Sequence, residues 1–264
     1  MKILVTNDDG VLAPGLRTLC DVAGEFGDVT VVAPEVERSG VSHAITLTRP
    51  LRVQEVEAGW HALSGTPADC VFIGMNHVMK QRPDMVLAGV NRGPNLGFDV
   101  IYSGTVGGAM EGTIQGVPAI AFSLVSRDEE YPYDLMAPQI RAVLAQAVKT
   151  GIPTGSMLNV NIPAPGLAGF AGFKVTRLGH RRYSNDIWER KDPRQNEYLW
   201  IGGTRVTMED DPATDCGAIK LGFVTITPLT PNVMAVEAVD ALDGFNALEV
   251  PSTRVRGISE RTRR

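Results

Sequence analysis

Two aspartates side by side, Asp8 and Asp9, follow the apolar run KILVT in the opening residues MKILVTNDDG. Asn, Asp and Gly are turn formers, so a surface turn explains this stretch when it is taken alone. Three more polar clusters stand in comparable places: residues 35–42 (EVERSGVS), 91–95 (NRGPN) and 102–105 (YSGT). Two carboxylates, a serine hydroxyl and asparagine carbonyls are hard oxygen donors, suited to Mg²⁺ or Mn²⁺ and not to a thiolate-seeking metal. A divalent cation would also cancel the repulsion between Asp8 and Asp9. The turn Ser103, Gly104, Thr105, followed by Gly107 and Gly108, opens a predicted helix and would aim backbone N–H groups outward, as an anion site does. A metal beside an anion site, with no Walker lysine, indicates phosphate-ester hydrolysis and not ATP-driven work. Each piece also has a plainer reading: Ser39 as a helix cap, Asn95 as a turn residue, YSGT as an N-cap.

The elements that must position these residues are legible from hydrophobic patterning. Residues 2–6, 28–34 (DVTVVAP), 85–91 (MVLAGVN) and 117–125 (VPAIAFSLV) are nearly continuous in apolar residues, as strands covered on both faces are. Pro14 suits the first turn of a helix whose Leu16, Leu19, Cys20, Ala23 and Phe26 recur at helical spacing. Residues 105–115 and 133–150 read as two more helices. The alternation predicts an α/β fold, a Rossmann-like doubly wound, mainly parallel sheet with helices on both faces. In such sheets ligands bind beyond the carboxyl ends of the strands, and the four polar clusters fall there. MLNVNIP and FVTITPL read as further core strands. The mixed-charge stretch between them is expected to carry a protruding β-hairpin, YLWIGG paired with TRVTM around Gly202 and Gly203.

Composition narrows the function. The net charge of −5 gives no basic field for a nucleic acid polymer. Three scattered cysteines, with no CxxC, suit a reducing compartment and offer no thiolate zinc site. No stretch approaches the ~20 apolar residues of a membrane span, and the first apolar run is too short for a signal peptide. The expectation is a soluble cytoplasmic protein with no membrane partner, folded as a single domain.

Several motifs together, VTNDDG, RSG at residues 38–40, SGTPADCV at 64–71, GVNRGPNLG at 89–97, YSGTVGGAMEG at 102–112 and ATDCGAI near the end, closely resemble the SurE family of stationary-phase survival proteins. The resemblance implies a metal-dependent phosphatase that hydrolyses nucleoside 5′- and 3′-monophosphates and, in some members, polyphosphate. It places one divalent cation per subunit, Mg²⁺ or Mn²⁺, on Asp8, Asp9, Ser39 and Asn95. Asp8 and Asp9 would be catalytic, and Asn91, Ser103, Gly104 and Thr105 would bind phosphate. It further implies a core of about residues 1–180 and 213–229, an excursion at 181–212, and an arm at 230–264 exchanged between subunits of a homodimer or homotetramer. Residues 230–248, with Val233, Met234, Val236, Val239, Leu242 and Phe245, would bury an apolar face on the partner.

Two alternatives bear on the same residues. A haloacid-dehalogenase-like phosphatase needs a nucleophilic Asp two residues before its second Asp, and that position is Asn7. A non-catalytic nucleotide-binding module would have little use for adjacent carboxylates, and no GxGxxG follows the first strand. Of the four histidines, His61 and His77 lie in apolar runs. His43, four residues beyond Ser39, suits a capping or core role as well as the site, so no histidine is assigned to catalysis.

Overall fold

The computed structural model describes residues 1–126, 131–164, 170–203 and 206–234. The chain opens with β1 (Lys2–Thr6), α1 (Pro14–Ala23) and β2 (Asp28–Pro34), followed by β3 (Val53–Glu57), β4 (Trp60–Leu63) and α2 (Pro67–Ile73). Next come β5 (Met85–Arg92), α3 (Gly104–Ile114), β6 (Ala119–Val125), α4 (Ala137–Thr150), β7 (Met157–Pro163) and β8 (Gly172–Val175). Short strands β9 (Arg181–Tyr183), β10 (Ile187–Lys191), β11 (Glu197–Ile201) and β12 (Val206–Met208) precede α5 (Asp215–Lys220) and β13 (Phe223–Leu229).

Nine strands form one sheet in the order β3-β4-β2-β1-β5-β6-β7-β13-β8. From β4 to β7 every pairing is parallel. The chain runs from β1 outward to β2, then returns to lay β5 on the other flank of β1. That reversal is the topological switch point, where a crevice opens beyond the carboxyl ends of the strands. Asp8 and Asp9 follow β1 there, and Asn91 is the penultimate residue of β5 there.

Side-chain alternation sorts the strands onto two cores. Ile3, Val5 and Leu87 face Leu16 and Leu19 of α1 and Ile140 and Leu144 of α4. Leu4, Val86 and Ala88 face Cys70 and Val71 of α2 and Val106 and Ala109 of α3. Both faces of the central strands are thereby covered, which is why these segments carry few polar residues. Local chemistry sets the helix starts. Pro14 occupies the first turn of α1, Thr66 and Asp69 form a capping box on α2, and the Ser103 and Thr214 hydroxyls cap α3 and α5.

Several sequence expectations need correction. The helix expected over 133–150 begins as a 3₁₀ turn at Tyr133–Met136, and the α-helix starts at Ala137. FVTITPL, by contrast, is a core strand as expected, and it runs antiparallel to β7. The hairpin expected around Gly202 and Gly203 does not form: β11 pairs back with β10, Trp188 opposite Trp200, and β12 pairs with β9. The turn of the protruding ribbon is therefore at residues 192–196, where Asp192 accepts the amides of Arg194 and Asn196. Cross-strand aromatic and charged pairs outweigh the turn propensity of the two glycines.

The chain divides into a unit Met1–Pro231 and a terminal unit Asn232–Arg264. Of the terminal unit only residues 232–234 are described, so most of the expected exchanged arm lies outside the described residues. No described helix is long and apolar enough to cross a membrane.

Candidate functional site

The NDDG turn is shaped by Asn7. This residue is fully buried; its Nδ2 donates to the Gly10 carbonyl at 2.8 Å and its Oδ1 accepts the Gly10 amide at 3.2 Å. With both ends of the amide spent on closing the turn, Asn7 orients its neighbours and cannot act as a nucleophile. Gly10 adopts φ +103, open to glycine at little cost. The Asp8 carbonyl accepts the Arg38 amide at 2.7 Å, which ties the loop after β2 to the end of β1.

Asp8 is 4% exposed. The Thr105 hydroxyl donates to its Oδ1, so the first turn of α3 grips the carboxylate. Burial dominates its acidity, the Thr105 bond opposes burial and the Asp9 charge adds to it, and the net effect is a pKa pushed up to about 6. Asp9 is raised as well, first by burial, against the Arg92 amide and charge; that amide donates to Asp9 Oδ2 at 3.0 Å. A buried carboxylate beside a half-buried one, both disfavoured as anions, is an environment that a bound cation would relieve.

Asn95 arrives from the loop after β5. Between Ala88 and Asn91 the β5–β6 register shifts, and Gly89 takes φ +126 with a Cβ position 2.3 Å from the Phe122 carbonyl, so only glycine fits. The following loop is buried against β6 and β7. The Asn95 amide N–H donates to Asn161 Oδ1 at 2.8 Å, and its carbonyl accepts Asn159 Nδ2 at 2.8 Å and Asn161 Nδ2 at 3.0 Å. Its side-chain Nδ2 donates to Ser123 Oγ at 2.8 Å, which leaves the carbonyl end of the side chain for a ligand.

Asp8, Ser39, Asn91, Asn95 and Ser103 line one cavity of about 380 Å³, with Arg92, Asp99, Arg181 and Tyr183 among its other walls. Ser103 spends its hydroxyl oxygen on the Val106 amide as the α3 N-cap and keeps its hydroxyl hydrogen. The other expected residues stand differently. Asp9 lines a neighbouring cavity of about 220 Å³ with Glu37, Arg92 and Tyr133; Arg92 lines both cavities. Thr105 is turned to Asp8 and not to the cavity. Gly104 lies against Asp8, where a Cβ would meet Asp8 Cβ at 2.9 Å. Among the described residues no group of three or more His, Cys, Asp or Glu is poised for a metal. Asp8, Ser39 and Asn95 offer this cavity one carboxylate and neutral oxygens, with Asp9 on the cavity beside it, and such donors suit a hard cation.

Sequence reasoning missed several contributors. Asp99, Arg181 and Tyr183 form a hydrogen-bonded group on the cavity wall, although Arg181 and Tyr183 come from the stretch hardest to read. Asp215, fully buried, accepts the amides of Gly97, Gly179 and Cys216 at 2.7 to 2.8 Å and so joins the turn before α3 to the excursion. Asn159 and Asn161 had a usable signal: two asparagines at alternate positions in an otherwise apolar strand.

The family model for the survival protein SurE matches residues 3–185. The 5′/3′-nucleotidase SurE of Proteus mirabilis is 44% identical over 96% of this chain and 99% of its own. The 5′-nucleotidase SurE of Anaeromyxobacter is 47% identical over 87% of this chain and 89% of its own. A crystal structure of the SurE protein from Aquifex aeolicus superposes with a TM-score of 0.81 at 36% identity, covering 93% of this chain and all of that one. With a match over most of its length, in sequence and in fold, this chain belongs to the SurE family.

Proposed function

We propose that the protein is a metal-dependent phosphatase that hydrolyses nucleoside 5′- and 3′-monophosphates to nucleoside and phosphate. The observation that carries the reading is the buried Asp8 at the end of β1, on one cavity with Ser39, Asn95 and Ser103. Its relatives bear the name 5′- or 5′/3′-nucleotidase.

Asp8 and Asp9 would hold one divalent cation, Mg²⁺ or Mn²⁺, with Ser39 and Asn95 as the protein's other ligands. When bound, the cation supplies Lewis-acid polarisation of the phosphate and activation of water. The start of α3 presents amides without partners in the helix, and together with the Ser103 hydroxyl and Asn91 they receive phosphoryl oxygens. Water, and not a side chain, would attack phosphorus while the ester P–O bond to the nucleoside breaks; Asp8 or Asp9 would accept the water's proton, and the nucleoside oxygen leaves and takes up a proton as the alcohol. Thr105 serves this chemistry through Asp8, by fixing the carboxylate.

The assembly follows the resemblance: a homodimer or homotetramer with the arm at 230–264 exchanged between subunits. The exposed Val233 and Met234 and the exposed apolar ribbon of Trp188, Trp200 and Ile201 support burial on partner chains. Three free, buried cysteines are in keeping with a cytoplasmic location.

Phosphate release from AMP, measured with Mn²⁺, Mg²⁺ or EDTA, tests the function. Turnover that needs the cation is expected. AMP binding without turnover under every metal condition would leave a nucleotide-binding module. Light scattering that finds a monomer at micromolar concentration would refute the assembly.

A further inference from the structure

Ser39 sits in a long connection without helix or strand, between Pro34 and Val53. Its immediate surroundings hold it weakly. Gly40 has φ +72 with nothing within 4 Å of a Cβ position, and among the described residues the Ser39 hydroxyl bonds only to Glu37, two residues away. The loop is anchored at both sides of this tip. Before it, the Arg38 amide donates to the Asp8 carbonyl. After it, the Ser42 amide donates to the Tyr102 carbonyl at 3.0 Å and the Ser42 hydroxyl to the Ile101 carbonyl. Beyond these lies a side-chain hydrogen bond between His43 Nε2 and Glu111 Oε2 at 2.9 Å.

That pair binds the loop to α3. The Glu111 side chain is only 8% exposed, and its other oxygen accepts Gln115 Nε2 at 2.9 Å. A buried carboxylate left without its partner is costly, so the bond to His43 is strongly enforced. The backbone is shaped to the same end. Ser42 takes φ +57, a left-handed conformation that a non-glycine residue holds only when its surroundings demand it. Gly107 of α3 lets the loop approach, since a Cβ there would stand 2.6 Å from the Ser42 carbonyl. The same helix grips Asp8 through Thr105. One rigid element thus meets both the Asp8 carboxylate and the loop bearing Ser39.

We infer that His43 and Glu111 are positioning residues: they clamp the Ser39 loop to α3, so that Ser39 and Asp8 are placed by one frame for the divalent cation. Gly107 is the close-approach site that makes the clamp possible. This rests on the reading of Ser39 as a cation ligand.

The test uses His43→Ala, Glu111→Ala, the double variant, His43→Gln and Ser39→Ala in the full chain. Amide hydrogen exchange at residues 40–44 is measured on metal-free protein, and Mn²⁺ affinity by electron paramagnetic resonance titration. His43→Ala should speed exchange at 40–44 and weaken Mn²⁺ binding about tenfold, the lower end for lost support of a metal ligand. The double variant should be no worse than the weaker-binding single one, because the two residues act as a pair. His43→Gln, which can still donate to Glu111, should recover most of the affinity, and saturating Mn²⁺ should restore kcat in His43→Ala. Wild-type exchange and Mn²⁺ affinity in His43→Ala would overturn the inference, as would additive effects in the double variant. Wild-type Mn²⁺ affinity in Ser39→Ala would instead overturn Ser39 as a ligand; the two failures are distinct because loop exchange is read without metal.

Discussion

Gly104→Ala separates the demands of the fold from those of the site. Gly104 is the first residue of α3, and a Cβ there would stand 2.9 Å from Asp8 Cβ, 3.0 Å from Asp8 Oδ2 and 3.2 Å from Pro67 Cγ. Ordinary carbon contacts lie near 3.5 Å or beyond, so the Asp8 side chain has to retreat by about half an ångström. Two terms act on stability with opposite sign. Replacing Gly by Ala in a helix contributes up to about 1 kcal/mol, while an extra methyl forced into a packed region costs about 1 to 3 kcal/mol. The net loss is about 3 kcal/mol at most, and the variant folds. Activity has no such offset. Asp8 is also held by Thr105, and displacing a catalytic group by about 1 Å commonly costs about a hundredfold.

Gly112→Ala is the matched control on the same helix, since its Cβ would stand 2.8 Å from Val86 side-chain carbons, in the core and away from the cavity. Phosphate release from AMP and thermal melting are measured on both variants. Gly104→Ala should lose at least tenfold in kcat/KM with a modest fall in Tm. Gly112→Ala should lose Tm and keep its kcat/KM within about twofold, because the overpacking is remote from the site. Equal loss of activity in the two, or wild-type activity in Gly104→Ala, would refute the placement of Asp8 at the reacting centre.

Asp8→Asn should bind Mn²⁺ more weakly and lose on the order of a hundredfold or more in kcat; a phosphorylated Asp8 or Asp9 trapped by rapid quench in the wild-type enzyme would replace water attack with a covalent route. Asn161→Leu removes an acceptor and a donor from the buried Asn95 backbone, at about 1 to 3 kcal/mol for a polar group left unsatisfied. Urea denaturation should show that loss together with a weaker Mn²⁺ affinity, and a wild-type affinity would mean that Asn95 is no ligand. The Glu111 pKa is lowered, chiefly by its bond to His43. A carboxylate whose folded pKa is depressed contributes stability that is present above its unfolded value, near 4.5, and lost as pH falls through the folded value. The difference in urea midpoint between wild type and His43→Ala should therefore be present at pH 6 and shrink below pH 4.5; a difference that grew on acidification would contradict the pairing.

How much of this was legible in sequence depends on what holds each residue. Central strands announce themselves because both faces must be apolar, so β1, β2, β5, β6, β7 and β13 could be read directly. The outer strands could not: all of Val53–Glu57 is exposed, and an exposed edge strand carries no burial pattern to read. The ribbon misled for a related reason. Gly202 and Gly203 look like a turn, yet the pairing is decided by contacts between residues 188 and 200, which local propensity does not contain. At the site the polar turns were visible, because ligands gather at strand ends, but the roles within them were not. Thr105 stands in a phosphate-like motif and serves Asp8, 97 positions away; His43 meets Glu111 at a separation of 68. The asparagines of β7 lie between these extremes. Positions 159 and 161 share one face of a strand whose neighbours are apolar, and each asparagine contributes a donor to the Asn95 carbonyl. A buried strand pays for a polar side chain only when that side chain satisfies another buried group. Two such residues at period two on a core strand therefore mark, within the sequence itself, a strand face against which a polar loop is packed.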